Sequence, residues 1–270
     1  MADTDLIASQ LISAYDRSET LEPFTSADSS FDMAQGYAVL HEILRRRLAQ
    51  GWQPVGRKIG FTNRSIWPRY NVDRPLWAHV WSSTVHFAEN GSTEISLTPF
   101  VQPRIEPEVV FKLRSGVPVT DDPNLVLESI EWIAAGFEIV QSHFPNWKFK
   151  APDCAAGFGL QGALIVGSPV AVDANNRRAL VGLLELFTLT LRRGDHVMET
   201  GIGASVLGNP ALALSHLAGA LADQPQFPTL AAGEIVTTGT LTDALPIIPG
   251  ETWSSDYGSL RIPGIEVLFR

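Results

Sequence analysis

Cysteine is nearly absent: Cys154 is the only one in 270 residues. An intrachain disulfide and a cysteine-built zinc cluster are therefore excluded, and the thiol reads as a small buried side chain. Positive charge is scarce too, with 20 Lys and Arg against 29 Asp and Glu and a formal net charge of -9. A broad nucleic-acid footprint is not expected, so an anionic substrate must be met by local cations or a metal. No apolar run approaches the ~20 residues of a membrane span. The opening Met1-Ala2-Asp3-Thr4-Asp5 lacks the basic start and apolar core of a secretory signal. A cytoplasmic protein with neither membrane nor nucleic-acid partner is the expectation. Apolar mass is plentiful: 45% of residues are hydrophobic and 18% charged, which favours a packed core over disorder.

Leu6, Ile7, Leu11, Ile12 and Tyr15 recur at helical spacing, and so do Tyr37, Leu40, Leu44 and Leu48. The second pattern begins near Met33, stops before Gly51 and ends on Arg45-Arg46-Arg47, which reads as a solvated helix face complementing the helix dipole. Beyond Gly51, short apolar runs at 55–61, 105–113, 162–166, 186–191, 234–238 and 265–269 alternate with Gly, Pro, Asn and Asp. These predict β-strands, with helices over about 123–133 and 210–222. The expected class is α+β: a helical region at 1–50 leading into a β-rich catalytic domain at 51–270. Gly157-Phe158-Gly159-Leu160-Gln161-Gly162 fits a dinucleotide fingerprint by letter but leads into a strand-like run, so it is read as chance.

Alternation along Arg104-Ile105-Glu106-Pro107-Glu108-Val109 puts Arg104, Glu106 and Glu108 on one face of a strand. Pro107 cannot donate to a ladder, which predicts an edge or a bulge there. Two neighbouring carboxylates either point into water or share a cation. Glu138 lies among apolar neighbours, Phe137, Ile139 and Val140, so it is expected to be buried and to need a counter-charge. Three carboxylates without a Cys/His cluster suit a hard, oxygen-seeking ion such as Mg2+ or Mn2+. Glu138 as a paired core carboxylate stays open. Arg57 and Lys58 must face opposite sides of their strand, so one cation is expected inward; an inward Lys58 is a candidate substrate-carboxylate contact, a catalytic acid/base group if desolvation lowers its pKa, or a structural ion pair.

The ordered series Gly56-Arg57-Lys58-Ile59-Gly60-Phe61-Thr62, Asn71-Val72-Asp73-Arg74-Pro75, Gln102-Pro103-Arg104-Ile105-Glu106-Pro107-Glu108, Phe137-Glu138-Ile139-Val140, Leu207-Gly208-Asn209-Pro210 and Ala232-Gly233-Glu234-Ile235-Val236-Thr237-Thr238-Gly239 resembles the 2-keto-4-pentenoate hydratase/4-oxalocrotonate decarboxylase family of the fumarylacetoacetate hydrolase superfamily. The likeness spans about residues 35–270. It implies a fumarylacetoacetate-hydrolase-like, β-rich fold and an Mg2+ or Mn2+ site formed by Glu106, Glu108 and Glu138. It also implies a substrate-contacting Lys58, with Thr238 and Gly239 near the substrate carboxylate. The implied activity is that of a hydratase-like lyase on a 2-hydroxy-2,4-dienoate or 2-oxo acid in aromatic or alicyclic catabolism. Decarboxylation or C–C hydrolysis of a related 2-oxo or diketo acid on the same metal is the alternative, and a silent scaffolding subunit is a third reading. A homo-oligomer, or a complex with a related pathway enzyme, is the implied assembly.

The chain departs from that pattern in places. Leu76 stands where the family's hydratases carry an acidic residue, and Phe158 and Leu160 stand where they carry Asn and Ser. An apolar wall there favours a bulkier, less polar substrate tail. His79 and His143 lie close to matched motifs and are the candidates for acid/base chemistry, a surface or core-satisfied histidine being the alternative. Trp77 and Trp147 are candidates to line an apolar pocket.

Overall fold

The structure, a computed structural model, describes residues 3–270. Three helices open it: α1 (Thr4–Arg17), α2 (Phe24–Ala27) and α3 (Met33–Ala49). Asp3 caps α1 by accepting the N–H groups of Asp5 and Leu6, and Asp32 with Gln35 forms a reciprocal capping box on α3. There follow β1 (Pro54–Gly60), α4 (Trp67–Tyr70), β2 (Leu76–Trp81), β3 (Val85–Phe87), β4 (Ser92–Ile95) and β5 (Arg104–Leu113). The middle of the chain forms α5 (Pro123–Glu128), β6 (Ile130–Val140), α6 (Ala151–Ala156), β7 (Gln161–Val166), β8 (Val170–Ala171) and α7 (Arg177–Leu186). The remainder is β9 (Thr188–Arg193), β10 (His196–Ile202), α8 (Pro210–Ala222), β11 (Ile235–Thr237), β12 (Leu245–Pro246), β13 (Thr252–Asp256) and β14 (Glu266–Phe269).

The larger sheet runs β2-β1-β11-β5-β6-β7-β3, with β12 beside β5 and β8 beside β6; the smaller runs β10-β9-β13-β14-β4. β5 and β6 are its long central pair. Their alternation sorts side chains to two sides: Ile105, Val109, Phe111 and Leu113 join the main core, while Val110, Ala134 and Leu164 form a separate cluster on the other side. The mixed α+β fold is the one the sequence predicts.

Four local expectations need correction. The helix at 123 ends at Glu128, because Ile130, Ile133 and the residues after them are taken into the long β5–β6 pairing. The run at 186–191 is not all strand: Leu180 and Leu184 are buried one turn apart on α7, and β9 begins only at Thr188. Pro107 lies at neither an edge nor a bulge. On that flank of β5, β11 pairs with 110–112 and β12 with 104–105, and the register shift against β6 falls between Lys112 and Leu113. Pro107 occupies the interval between β11 and β12, where no N–H is needed, and its carbonyl accepts from Leu241 N–H at 3.0 Å. The fourth correction concerns Arg45-Arg46-Arg47, which is not wholly solvated. Arg47 is buried, its guanidinium 4.1 Å from the Trp52 ring centroid and 2.5 Å from Asp16 of α1.

The N-terminal helices are tied to the rest of the chain. Ile7, Leu11, Val39 and Ile43 share a hydrophobic cluster with Phe144, Ala156 and Phe158. Buried Asp153 of α6 accepts Thr25 N–H at 3.0 Å, Thr25 Oγ1–H at 2.6 Å and Lys150 N–H at 2.9 Å. An ion-pair group within α3 gives a pH prediction. Hydrogen bonds from Arg45, and then from Arg46, hold the Glu42 carboxyl at about 2 against an ordinary 4.5. A depressed folded-state value means stability that is present above about pH 4.5 and lost as the pH falls toward 2. Glu42→Gln is expected to cost less than about 1 kcal/mol at pH 7 and to flatten the acid limb of urea-unfolding stability.

Candidate metal and substrate site

The ladder between β5 and β6 sets Glu106 directly opposite Glu138, and Glu108 follows on the same face of β5. Each of the three offers a carboxylate oxygen, and these oxygens lie within 4.8 Å of one another. Glu108 and Glu138 are fully buried, whereas Glu106 is partly exposed toward a cavity. The residue facing Glu108 on β6 is Gly136, where a Cβ would stand 2.4 Å from Val110 Cγ2. Behind the pair, Tyr257 donates its hydroxyl to the Glu108 carbonyl at 2.6 Å and accepts the Gly136 N–H at 3.3 Å, holding the two strands in register.

Lys58 of β1 reaches the cluster, with Nζ 3.1 Å from Glu138 Oε2. Burial works against its charge, but Glu138, and then Glu106 and Glu108, outweigh burial and raise its pKa. Without an ion between them, the three carboxylates hold Lys58 as the ammonium. One inward cation was expected and both are buried: Arg57 lies on the other face, paired with Glu234 at 2.9 Å. Burial first, and then the neighbouring carboxylates, push Glu106 up to about 7 and Glu108 well above the ordinary carboxyl range.

These residues fit a hard divalent cation. Glu108 Oε1 and Glu138 Oε1 are buried without a hydrogen-bond donor, and Glu138 Oε2 has only the Lys58 ammonium beside it, an expensive condition unless a cation takes the lone pairs. Ionised, as metal ligands must be, three carboxylates against one ammonium leave two negative charges for a divalent ion to offset, and an all-oxygen donor set suits Mg2+ or Mn2+. The second oxygen of Glu108 is fixed by the Gly239 N–H at 2.8 Å, the kind of outer support that orients a ligating carboxylate. Gly239 can do this only as glycine: φ is +93°, and a Cβ would meet Thr62 Oγ1 at 2.0 Å. Gly239→Ala is expected to destabilise the fold by more than about 2 kcal/mol in urea unfolding. A stability change under half that size would contradict the close approach.

A cavity of about 290 Å³ opens beside the carboxylates, with Lys58, Glu106, Phe61, Trp147, Phe149 and Leu160 in its walls. Leu76, Trp77 and Arg104 also line it, and Trp77 anchors its Nε1–H on Gln224 Oε1 at 2.9 Å. Thr238 spends its hydroxyl on the Val109 carbonyl at 3.0 Å. Phe158 instead packs on Tyr15, ring centroids 4.6 Å apart, in the cluster under the N-terminal helices.

Neither histidine is among the cavity's lining residues. In the β1–β2 ladder Lys58 faces Ala78 and Arg57 faces His79, so His79 shares its side with Arg57 and not with Lys58. Its ring sits among Trp77, Trp81 and Phe227, and burial, followed by Arg57 and His41, lowers its pKa well below the usual value. His143 lies 2.8 Å from the Glu19 carbonyl through Nδ1 and packs near Tyr15; burial lowers its pKa too.

Sequence reasoning did not assign Phe61, Phe149, Arg104, Cys154 or Asp243 to the cavity, although all five line it. The available signal for Arg104 was its place two residues before Glu106, on the same strand face. Phe149 and Asp243 sit in loops whose direction no periodicity reveals.

No family model matches the chain. It is 28% identical over 262 residues to a 2-hydroxyhexa-2,4-dienoate hydratase of Comamonas testosteroni, covering 93% of each chain. It is 27% identical over 230 residues to a 4-oxalocrotonate decarboxylase of a Pseudomonas species, covering 84% of each. Among solved structures, 4-oxalocrotonate decarboxylase from Pseudomonas putida G7, complexed with magnesium and adipate, matches with a TM-score of 0.89 at 22% identity, over 99% of this chain and 97% of that one. Fumarylpyruvate hydrolase from Pseudomonas aeruginosa, in complex with Mn2+ and pyruvate, matches at 0.58 with 13% identity, over 79% and 88%. These relatives are of the kinds the motif series resembles, and the fumarylacetoacetate-hydrolase-like fold is the one it implies.

Proposed function

We propose that this chain is a Mg2+-dependent, hydratase-like lyase acting on a 2-hydroxy-2,4-dienoate or its 2-oxo tautomer in the breakdown of aromatic or alicyclic compounds. The observation that carries this reading is the convergence of Glu106, Glu108 and Glu138 on one point, with the Lys58 ammonium beside them and a cavity in front. The relatives named hydratase and decarboxylase, similar over most of their length, support it.

Glu106, Glu108 and Glu138 would hold the ion, which when bound supplies Lewis-acid charge to negative charge developing on a 2-oxygen and its adjacent carboxylate. Lys58 contributes a fixed positive charge at the cavity floor, suited to orient the acid end of the substrate. The Gly239 N–H keeps Glu108 aimed, and Thr238 keeps the loop on β5. Phe61, Phe149 and Leu160 exclude water from the far part of the cavity. His79 and His143 do not reach the reacting atoms in this assignment, so protons would come from the Lys58 ammonium acting as an acid or from water admitted at the mouth.

The proposal extends to a cytoplasmic homo-oligomer that meets a small organic acid in solution.

Incubation with 2-hydroxypenta-2,4-dienoate and Mg2+ should abolish the dienol absorbance, and a chelator should prevent it. If the absorbance persists, and neither CO2 release from a 2-oxo-enedioate nor cleavage of an acylpyruvate is seen, the proposal fails. Independently, Mg2+ or Mn2+ at about 100 times its Kd should stabilise the fold by about 2.7 kcal/mol, read as a rise in Tm.

A further inference from the structure

Three bulky residues in the cavity wall have a left-handed backbone: Phe61 at φ +58°, Trp147 at +58° and Leu160 at +64°. Side chains of this size are strained there, and such strain persists only where the surroundings hold it. Each of the three is held. The Phe61 carbonyl accepts Trp67 Nε1–H at 2.7 Å, Trp147 donates Nε1–H to the Gln102 carbonyl at 3.1 Å, and the Leu160 carbonyl accepts Gln141 N–H at 2.8 Å. Three independent loops have thus been fixed in unfavourable conformations with the same outcome, an apolar side chain aimed at one cavity. Behind them, Phe61, Leu160 and Phe149 pack against a cluster of Leu76, Ala151 and Cys154.

Resting on the reading of a 2-oxo acid gripped at Glu106, Glu108 and Glu138, we propose that this strained wall is a tail subsite selecting an uncharged, bulky group, an aryl or branched alkyl, at the far end of the substrate. Burying apolar surface of the tail against Phe61, Phe149 and Leu160 favours binding by about 4-fold per methylene. A carboxylate tail gains nothing from that wall and loses hydration against it. Among the described lining residues the cation besides Lys58 is Arg104, which lies over the face of Trp147 at 4.1 Å, and Asp243 lines the cavity as well, so a second carboxylate meets a cation already stacked and a like charge in the wall. Leu76, buried at 3% exposure, closes the same side with hydrocarbon.

The experiment measures binding, not turnover. The Mg2+-loaded protein is titrated by calorimetry with 2-oxobutanoate, 4-phenyl-2-oxobutanoate and 2-oxoadipate. The phenyl acid is expected to bind at least about 30-fold more tightly than 2-oxobutanoate, and 2-oxoadipate no more tightly than 2-oxobutanoate. Phe149→Ala should remove at least about 10-fold of the phenyl preference while changing 2-oxobutanoate affinity less than about 3-fold. Leu76→Asp should abolish the preference where that variant folds. Equal or tighter binding of 2-oxoadipate, or a phenyl preference unmoved by Phe149→Ala, overturns the subsite. The proposed lyase activity has its own failure, no change in dienol absorbance, which would leave a phenyl preference measured here standing.

Discussion

Glu106→Gln is expected to lower Mg2+ affinity at least about 100-fold, equivalent to about 2.7 kcal/mol, and to lower kcat/KM about 1000-fold at fixed metal. The amide keeps the shape of the carboxylate and removes one anionic oxygen from a cluster whose donors lie within 4.8 Å of each other. Glu106 is the member that faces the cavity and stands furthest from the packed core, so the substitution should leave the fold intact. The metal-free variant should melt at or above the parent temperature, because one like charge has been taken from beside Glu108 and Glu138. Calorimetric titration with Mg2+ or Mn2+, alongside thermal melts with and without the ion, checks both halves. A titration curve matching the parent's would remove the metal from this site.

Lys58→Met should produce the opposite pattern. Substrate KM is expected to rise at least about 100-fold, whereas Mg2+ affinity stays level or tightens, since a repelling cation has gone. In the absence of metal the variant should lose about 3–5 kcal/mol of stability, because Glu138 is left buried without its 3.1 Å partner. Saturating Mg2+ should restore much of that loss. Lys58→Arg should retain more stability than Lys58→Met. If metal binding suffers more than substrate binding, Lys58 is a structural residue and the orientation assigned to the substrate is incorrect.

The carboxylate cluster was legible because it depends on short-range rules. Strand alternation alone places Glu106 and Glu108 together, and an acidic residue among Phe137, Ile139 and Val140 must have a partner. Which strand supplies that partner is a matter of long-range pairing, and the opposition of Glu106 and Glu138 is visible only in the register. The same distinction explains Pro107. Its missing donor was readable, but the interval between β11 and β12 that accommodates it depends on two segments more than 120 residues downstream. His79 shows how a motif neighbour can mislead: one step along a strand turns a side chain to the opposite side, and the ladder partner Arg57 shows which side that is. Trp147 and Leu160 were expected in an apolar wall and Phe61 was not, but how the three reach the cavity lay beyond sequence reasoning, since all sit on left-handed turns that their residue types disfavour.

Buried Asp153 gathers Thr25 and Lys150 onto one carboxylate, and Tyr15 lies against Phe158, two residues before Leu160. The scaffold under the tail-facing side of the cavity is therefore borrowed from the first quarter of the chain, while the acidic trio hangs on the central β5–β6 ladder. The two halves of the site have separate foundations. Progressive trimming from the amino end should blur discrimination among ligands before it loosens the grip on the ion.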